Sequence, residues 1–62
     1  MDSRFIIKLI EADGWVHVRT TEDHFHYRHP AKPGLVTVPH SRKDIPVGTL
    51  KSIERQSGIR LR

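Results

Sequence analysis

The chain has 62 residues, no cysteine and a formal net charge of +4. Its length allows one domain with one small core, which buries only about 60% of the surface exposed by the unfolded chain. Without cysteine there is no disulfide framework, and no stretch approaches the roughly 18 apolar residues that cross a bilayer.

The opening residues Met1 to Lys8 lack the apolar run and small-residue cleavage site of a secretory leader. The expectation is a single domain over residues 1–62, cytoplasmic and without a membrane segment. Charge is unevenly spread. Residues 1–27 carry three Lys/Arg against five Asp/Glu, a net of −2, and residues 28–62 carry eight against two, a net of +6. A basic face of this kind suits phosphates, although ordinary solubility charge accounts for composition equally well.

Ser3 is a candidate helix cap, and Phe5, Ile6, Leu9 and Ile10 follow at helical spacing. Gly14 stands where a left-handed C-terminal cap commonly falls. The first helix is predicted over residues 3–13. Trp15-Val16-His17-Val18-Arg19 then alternates as a half-buried strand does, with Val16 and Val18 expected inward. Thr20 to Asp23 reads as a turn. His24 to His29 alternates again, with Phe25 and Tyr27 on one face and His24, His26 and Arg28 on the other. Pro30 to Gly34 breaks the pattern. Leu35 to Val38 forms a third strand closed by Pro39, and residues 40–44 form a basic loop. Ile45, Val47, Leu50 and Ile53 then predict a second helix over residues 46–56, with Pro46 in its first turn and Gly58 at its end. Ile59 and Leu61 should cover the open edge of the core.

The order predicts an α+β fold, α-β-β-β-α, with a three-stranded antiparallel sheet and both helices on one face. That topology is like that of double-stranded RNA-binding domains, an analogy that carries no function by itself.

Five histidines, at positions 17, 24, 26, 29 and 40, are the unusual feature. A neutral imidazole can take a proton from a ribose 2′-hydroxyl, with nearby Lys or Arg stabilising charge on phosphorus. His24 opens a strand directly after a turn and shares its face with His26 and Arg28. A metal site is the competing reading, because His24 and His26 have H-x-H spacing and His29 or His40 could add a third ligand. The donor set is weak, however, and no metal or cofactor is expected. A histidine on a strand is by default a surface or half-buried group, and His17 and His29 are read so. Trp15 could stack a base but is better read as packing.

The run Ile10-Glu11-Ala12-Asp13-Gly14-Trp15 is similar to the helix-end motif of HicA toxins. His24-Phe25-His26-Tyr27-Arg28-His29-Pro30 resembles the family's histidine strand, and Gly34-Leu35-Val36-Thr37-Val38-Pro39-His40 its third strand. Gly48 to Ile53 resembles the start of its last helix. The resemblance covers nearly the whole chain. It implies an endoribonuclease of a bacterial toxin–antitoxin system, an mRNA interferase that cuts messenger RNA without a known metal and arrests translation. It further implies a HicB-type antitoxin as partner, the toxin being monomeric alone and oligomeric with that partner. The family's catalytic histidine falls on His24, and His26, Arg28, Lys32, Arg42 and Lys43 are the candidate RNA-binding residues.

One departure bears on activity. The family usually has Gly-Ser before this histidine, whereas this chain has Glu22-Asp23. Two carboxylates beside the site would repel an approaching phosphate, or Asp23 could orient the imidazole, as acidic partners do at other histidine sites. A non-catalytic RNA-binding module of the same fold, or an inactive antitoxin-binding decoy, are the alternatives this leaves open.

Overall fold

The computed structural model describes residues 1–40 and 42–61; Ser41 of the basic loop and Arg62 lie outside the described residues. The elements run α1 (Ser3–Ala12), β1 (Val16–Thr21), β2 (His24–Arg28), β3 (Val36–Pro39) and α2 (Val47–Ser57). The three strands form one antiparallel sheet in the order β1-β2-β3. This is the predicted α-β-β-β-α fold.

Helix α1 starts one residue earlier in its capping than the sequence suggests. Asp2, not Ser3, is the cap, and its carboxylate accepts the Arg4 backbone N–H at 2.8 Å. That bond is the main reason the Asp2 carboxyl sits below its ordinary range. Ser3 is instead fully buried. Its N–H donates to the Arg42 carbonyl at 2.9 Å and its hydroxyl accepts the Arg42 N–H at 3.2 Å. The Ile45 N–H donates to the Met1 carbonyl at 2.9 Å, so the β3–α2 loop is laced to the start of α1.

The core gathers Ile6 and Ile10 of α1, Trp15, Tyr27, Val36 and Val38 of the sheet region, and Ile45, Leu50, Ile53 and Leu61. Burial pushes the Tyr27 phenol up to about 12, with the Glu11 carboxylate adding to the effect. Ile59 packs against this core as expected, and the Leu61 N–H donates to the Glu54 carboxylate at 2.7 Å. Two helix residues predicted for the core are not in it: Phe5 and Val47 are about half exposed, at 53% and 52%. Each lies at the border of its helix's apolar stripe, where spacing alone does not separate inside from outside.

The larger correction is in β1. Val16 and Val18 are exposed at 58% and 49%, while Trp15, placed outward by alternation, is 1% exposed. The pairing explains it. Val16 faces Arg28 and His17 faces Tyr27, then the register slips, so that Arg19 faces His26, Thr20 faces Phe25 and Thr21 faces His24. Val18 is the extra residue of a β-bulge, and a strict two-residue period fails across it. Side chains paired across a ladder share a face. His17 therefore lies on the core side, its ring 4.7 Å from Phe25 and 5.5 Å from Tyr27 between centroids.

The β1–β2 turn is shorter than predicted. β1 continues to Thr21, leaving only Glu22 and Asp23, and Glu22 takes a left-handed φ of 54°. At the other edge of the sheet, the Gln56 side chain accepts the Thr37 backbone N–H at 3.2 Å. Helix α2 ends at Gly58 with φ 75°, close to the predicted stop.

Candidate functional site

The face of the sheet turned away from the core is built from three cross-strand rows. Val16 and Arg28 form one, Arg19, His26 and Thr37 the second, and Thr21, His24 and Pro39 the third. Successive rows on one face of a strand are roughly 6.6 Å apart. Thus His24, His26 and Arg28 stand together on this face, as their alternation predicted. Arg19 joins them, a residue that the sequence reading left out of the site. Simple alternation, with Val16 and Val18 inward, already puts Arg19 on the outward face; what the sequence does not advertise is the bulge at Val18, across which Arg19 comes to pair with His26.

The two face histidines differ. The His24 side chain is 46% exposed, and its Nδ1 lies 3.1 Å from the Asp23 carboxylate. His26 is half-buried. Its Nδ1 is 3.0 Å from the Thr37 hydroxyl, and its Nε2 is buried with no hydrogen-bond partner. Of these two, His24 is the one open to solvent. The backbone behind it is held at both ends: the His40 N–H donates to the Asp23 carbonyl at 2.7 Å, and His24 pairs with Pro39.

Of the remaining histidines, His29 and His40 are half-buried and His17 is exposed. His29 Nε2 lies 2.7 Å from the Asp13 carbonyl, which can only accept, so this nitrogen carries the proton. Its Nδ1 accepts the Ala31 N–H at 2.9 Å. The ring stands edge-on to Trp15 with centroids 5.2 Å apart. Histidine 40 stacks on Phe25 at 4.2 Å, nearly parallel, and His17 Nε2 is 2.9 Å from the Thr20 hydroxyl.

The other candidate cations are dispersed. The Lys32 ammonium donates to the Asp13 carboxylate at 2.6 Å and to the Ser57 carbonyl at 3.2 Å, joining the ends of the two helices. Arg42 and Lys43 lie beside α1, where with Asp2 and Arg4 they line a surface depression that no strand residue enters. The sheet face thus gathers His24, His26, Arg28 and Arg19, and leaves Lys32, Arg42 and Lys43 elsewhere. Among the described residues, no group of three or more His, Asp or Glu side chains is arranged to hold a metal ion. Nor is any described helix long and apolar enough to cross a membrane.

An α-β-β-β-α domain presenting an exposed histidine and two arginines on its open sheet face is a small α+β module with a cationic site. Its sequence matches the family model for the HicA toxin of bacterial toxin–antitoxin systems over residues 3–59. That match covers most of the chain, which therefore belongs to the HicA toxin family. Membership gives it a toxin role and an antitoxin as counterpart. A comparison with curated proteins returned no match.

Proposed function

We propose that the protein is a metal-independent endoribonuclease that cuts messenger RNA and so blocks translation in the cytoplasm, with His24 as its catalytic residue. The observation that carries this reading is the contrast on the sheet face. His24 is accessible, with a carboxylate 3.1 Å from its Nδ1, while His26 beside it has one nitrogen on Thr37 and the other buried.

In this reading the neutral His24 ring takes the proton of a ribose 2′-hydroxyl as that oxygen attacks the adjacent phosphorus. The bond from phosphorus to the 5′-oxygen breaks, and that oxygen takes a proton from water or an acid. Arg19 and Arg28, on the same face, bind the backbone and offset the charge that builds on the phosphate oxygens. His26 supports His24 from the next row. Arg42 and Lys43 extend the contact along the strand of RNA, whereas Lys32 contributes least because its ammonium is already bonded twice. The partner is a HicB-type antitoxin that covers the site, the free toxin being monomeric.

A binding module without catalysis is the second reading, favoured by the Asp23 carboxylate at the point where a phosphate would approach. The two separate in one experiment. Parent and His24→Ala protein are incubated with end-labelled RNA in the presence of a chelator. Cutting by the parent alone is expected. Equal cutting by both would remove His24 from the mechanism, and RNA bound but intact in both would replace catalysis with binding.

A further inference from the structure

We propose that the depression lined by Arg4, Arg42 and Lys43 is a second phosphate subsite, which takes a backbone phosphate of the same RNA a few nucleotides from the one at His24. The proposal rests on the reading of the protein as one that binds RNA, and does not depend on whether it cuts.

The site starts from a buried serine. Ser3 is fully buried at the start of α1, where a hydroxyl without a partner is costly. Its hydroxyl accepts the Arg42 N–H at 3.2 Å, and its own N–H donates to the Arg42 carbonyl at 2.9 Å. The Arg42 backbone is thus gripped through both of its polar groups. The bond from the Ile45 N–H to the Met1 carbonyl, at 2.9 Å, holds the loop again three residues on. The backbone from which Arg42 and Lys43 project is therefore fixed against the helix turn that carries Arg4. Between them lies a concavity of about 200 Å³, with Asp2 as its fourth lining residue.

The charges in this corner do not cancel. The Asp2 carboxylate is already engaged, accepting the Arg4 backbone N–H at 2.8 Å and lying 3.5 Å from the Arg4 Nε. Asp44 pairs with the Met1 amino terminus at 2.9 Å. Among the described residues, no carboxylate pairs with Arg42 or Lys43. The lining sets three cations against one carboxylate, an excess of +2. Such a concavity suits a compact anion with several acceptor oxygens, and a phosphate matches the donor fork of arginine.

The same loop begins beside His24. Pro39 is the ladder partner of His24, and the His40 N–H donates to the Asp23 carbonyl at 2.7 Å. Ladder partners stand about 5 Å apart and three further residues span at most about 11 Å, so the Cα atoms of His24 and Arg42 lie within about 16 Å of each other. A single RNA strand crosses such a span in a few nucleotides. One strand can then hold one phosphate at the sheet face and another in the depression.

The test uses the full chain and a short RNA, 2′-O-methylated so that it stays intact, in which one linkage at a time is made a neutral methylphosphonate. Binding is followed by fluorescence anisotropy. In the parent, two separate regions of the strand should be sensitive, and affinity should fall about fivefold when the phosphate in the second subsite loses its charge. In the double variant Arg42→Gln, Lys43→Gln the second region should become insensitive while the first remains, and the salt slope should fall by about one. A single sensitive region in the parent would overturn the subsite, as would two regions that persist in the double variant. RNA binding unchanged in that variant, with antitoxin binding reduced, would give the depression to the protein partner instead. A parent that binds no RNA is a different failure, since it removes the underlying reading and the subsite with it.

Discussion

Gly14 has a φ of 107°, and a Cβ built on it would fall 2.6 Å from Nε2 of His29. Both facts forbid a side chain. The backbone there is one that L residues rarely adopt, and the space is taken by a ring whose two nitrogens are already bonded to Asp13 and Ala31. Gly14→Ala should therefore destabilise the fold by about 3 kcal/mol, strain and crowding together, as read by urea denaturation. The sequence announced this glycine as a helix stop. What it could not announce was the partner, because His29 lies 15 residues away and comes into contact only through the fold. His29, read from the sequence as an ordinary surface or half-buried group, is a structural ring in place.

At the scale of elements, the helices were readable because their apolar spacing is undisturbed; the observed α1 and α2 differ from the expected ranges by one residue at their ends. β2 and β3 were readable for the same reason, and with them the face that holds His24, His26 and Arg28. β1 was not, since the bulge at Val18 shifts the period midway and inverts the expected places of Val16 and Trp15. That shift has a functional reading, because it brings Arg19 opposite His26. Arg19→Gln and Arg28→Gln should each lower the salt dependence of RNA binding by about one phosphate contact. Lys32→Met should leave it nearly unchanged, a comparison made by titrating binding against salt concentration. Lys32 belongs instead to the tie between helix ends. Its hydrogen bond is the main cause that holds the Asp13 carboxyl below its ordinary 3.8, with partial burial opposing. A carboxyl depressed in the fold contributes stability above its unfolded value, and that contribution is lost as pH falls through the folded one. The melting temperature of the parent should thus drop below pH 3.8 more steeply than that of Asp13→Asn, in scans across the acid range.

For the molecule as a whole, ten apolar side chains form the buried core among the described residues. Total stability at this length is about 3–9 kcal/mol. Ile10 is completely buried, and Ile10→Ala should cost about 3 kcal/mol, leaving a chain that is partly unfolded at 37 °C by circular dichroism unless its antitoxin is bound. The sheet itself ends differently on its two sides. The outer edge of β3 is occupied by Gln56 and ends in Pro39, which has no N–H to offer. β1 is bonded to β2 alone. A polymer that grows by adding strands needs two receptive ends on every unit, and this molecule has one. Copies that meet edge to edge through β1 use up that end in meeting, so such an assembly terminates at a pair and cannot propagate into a fibre.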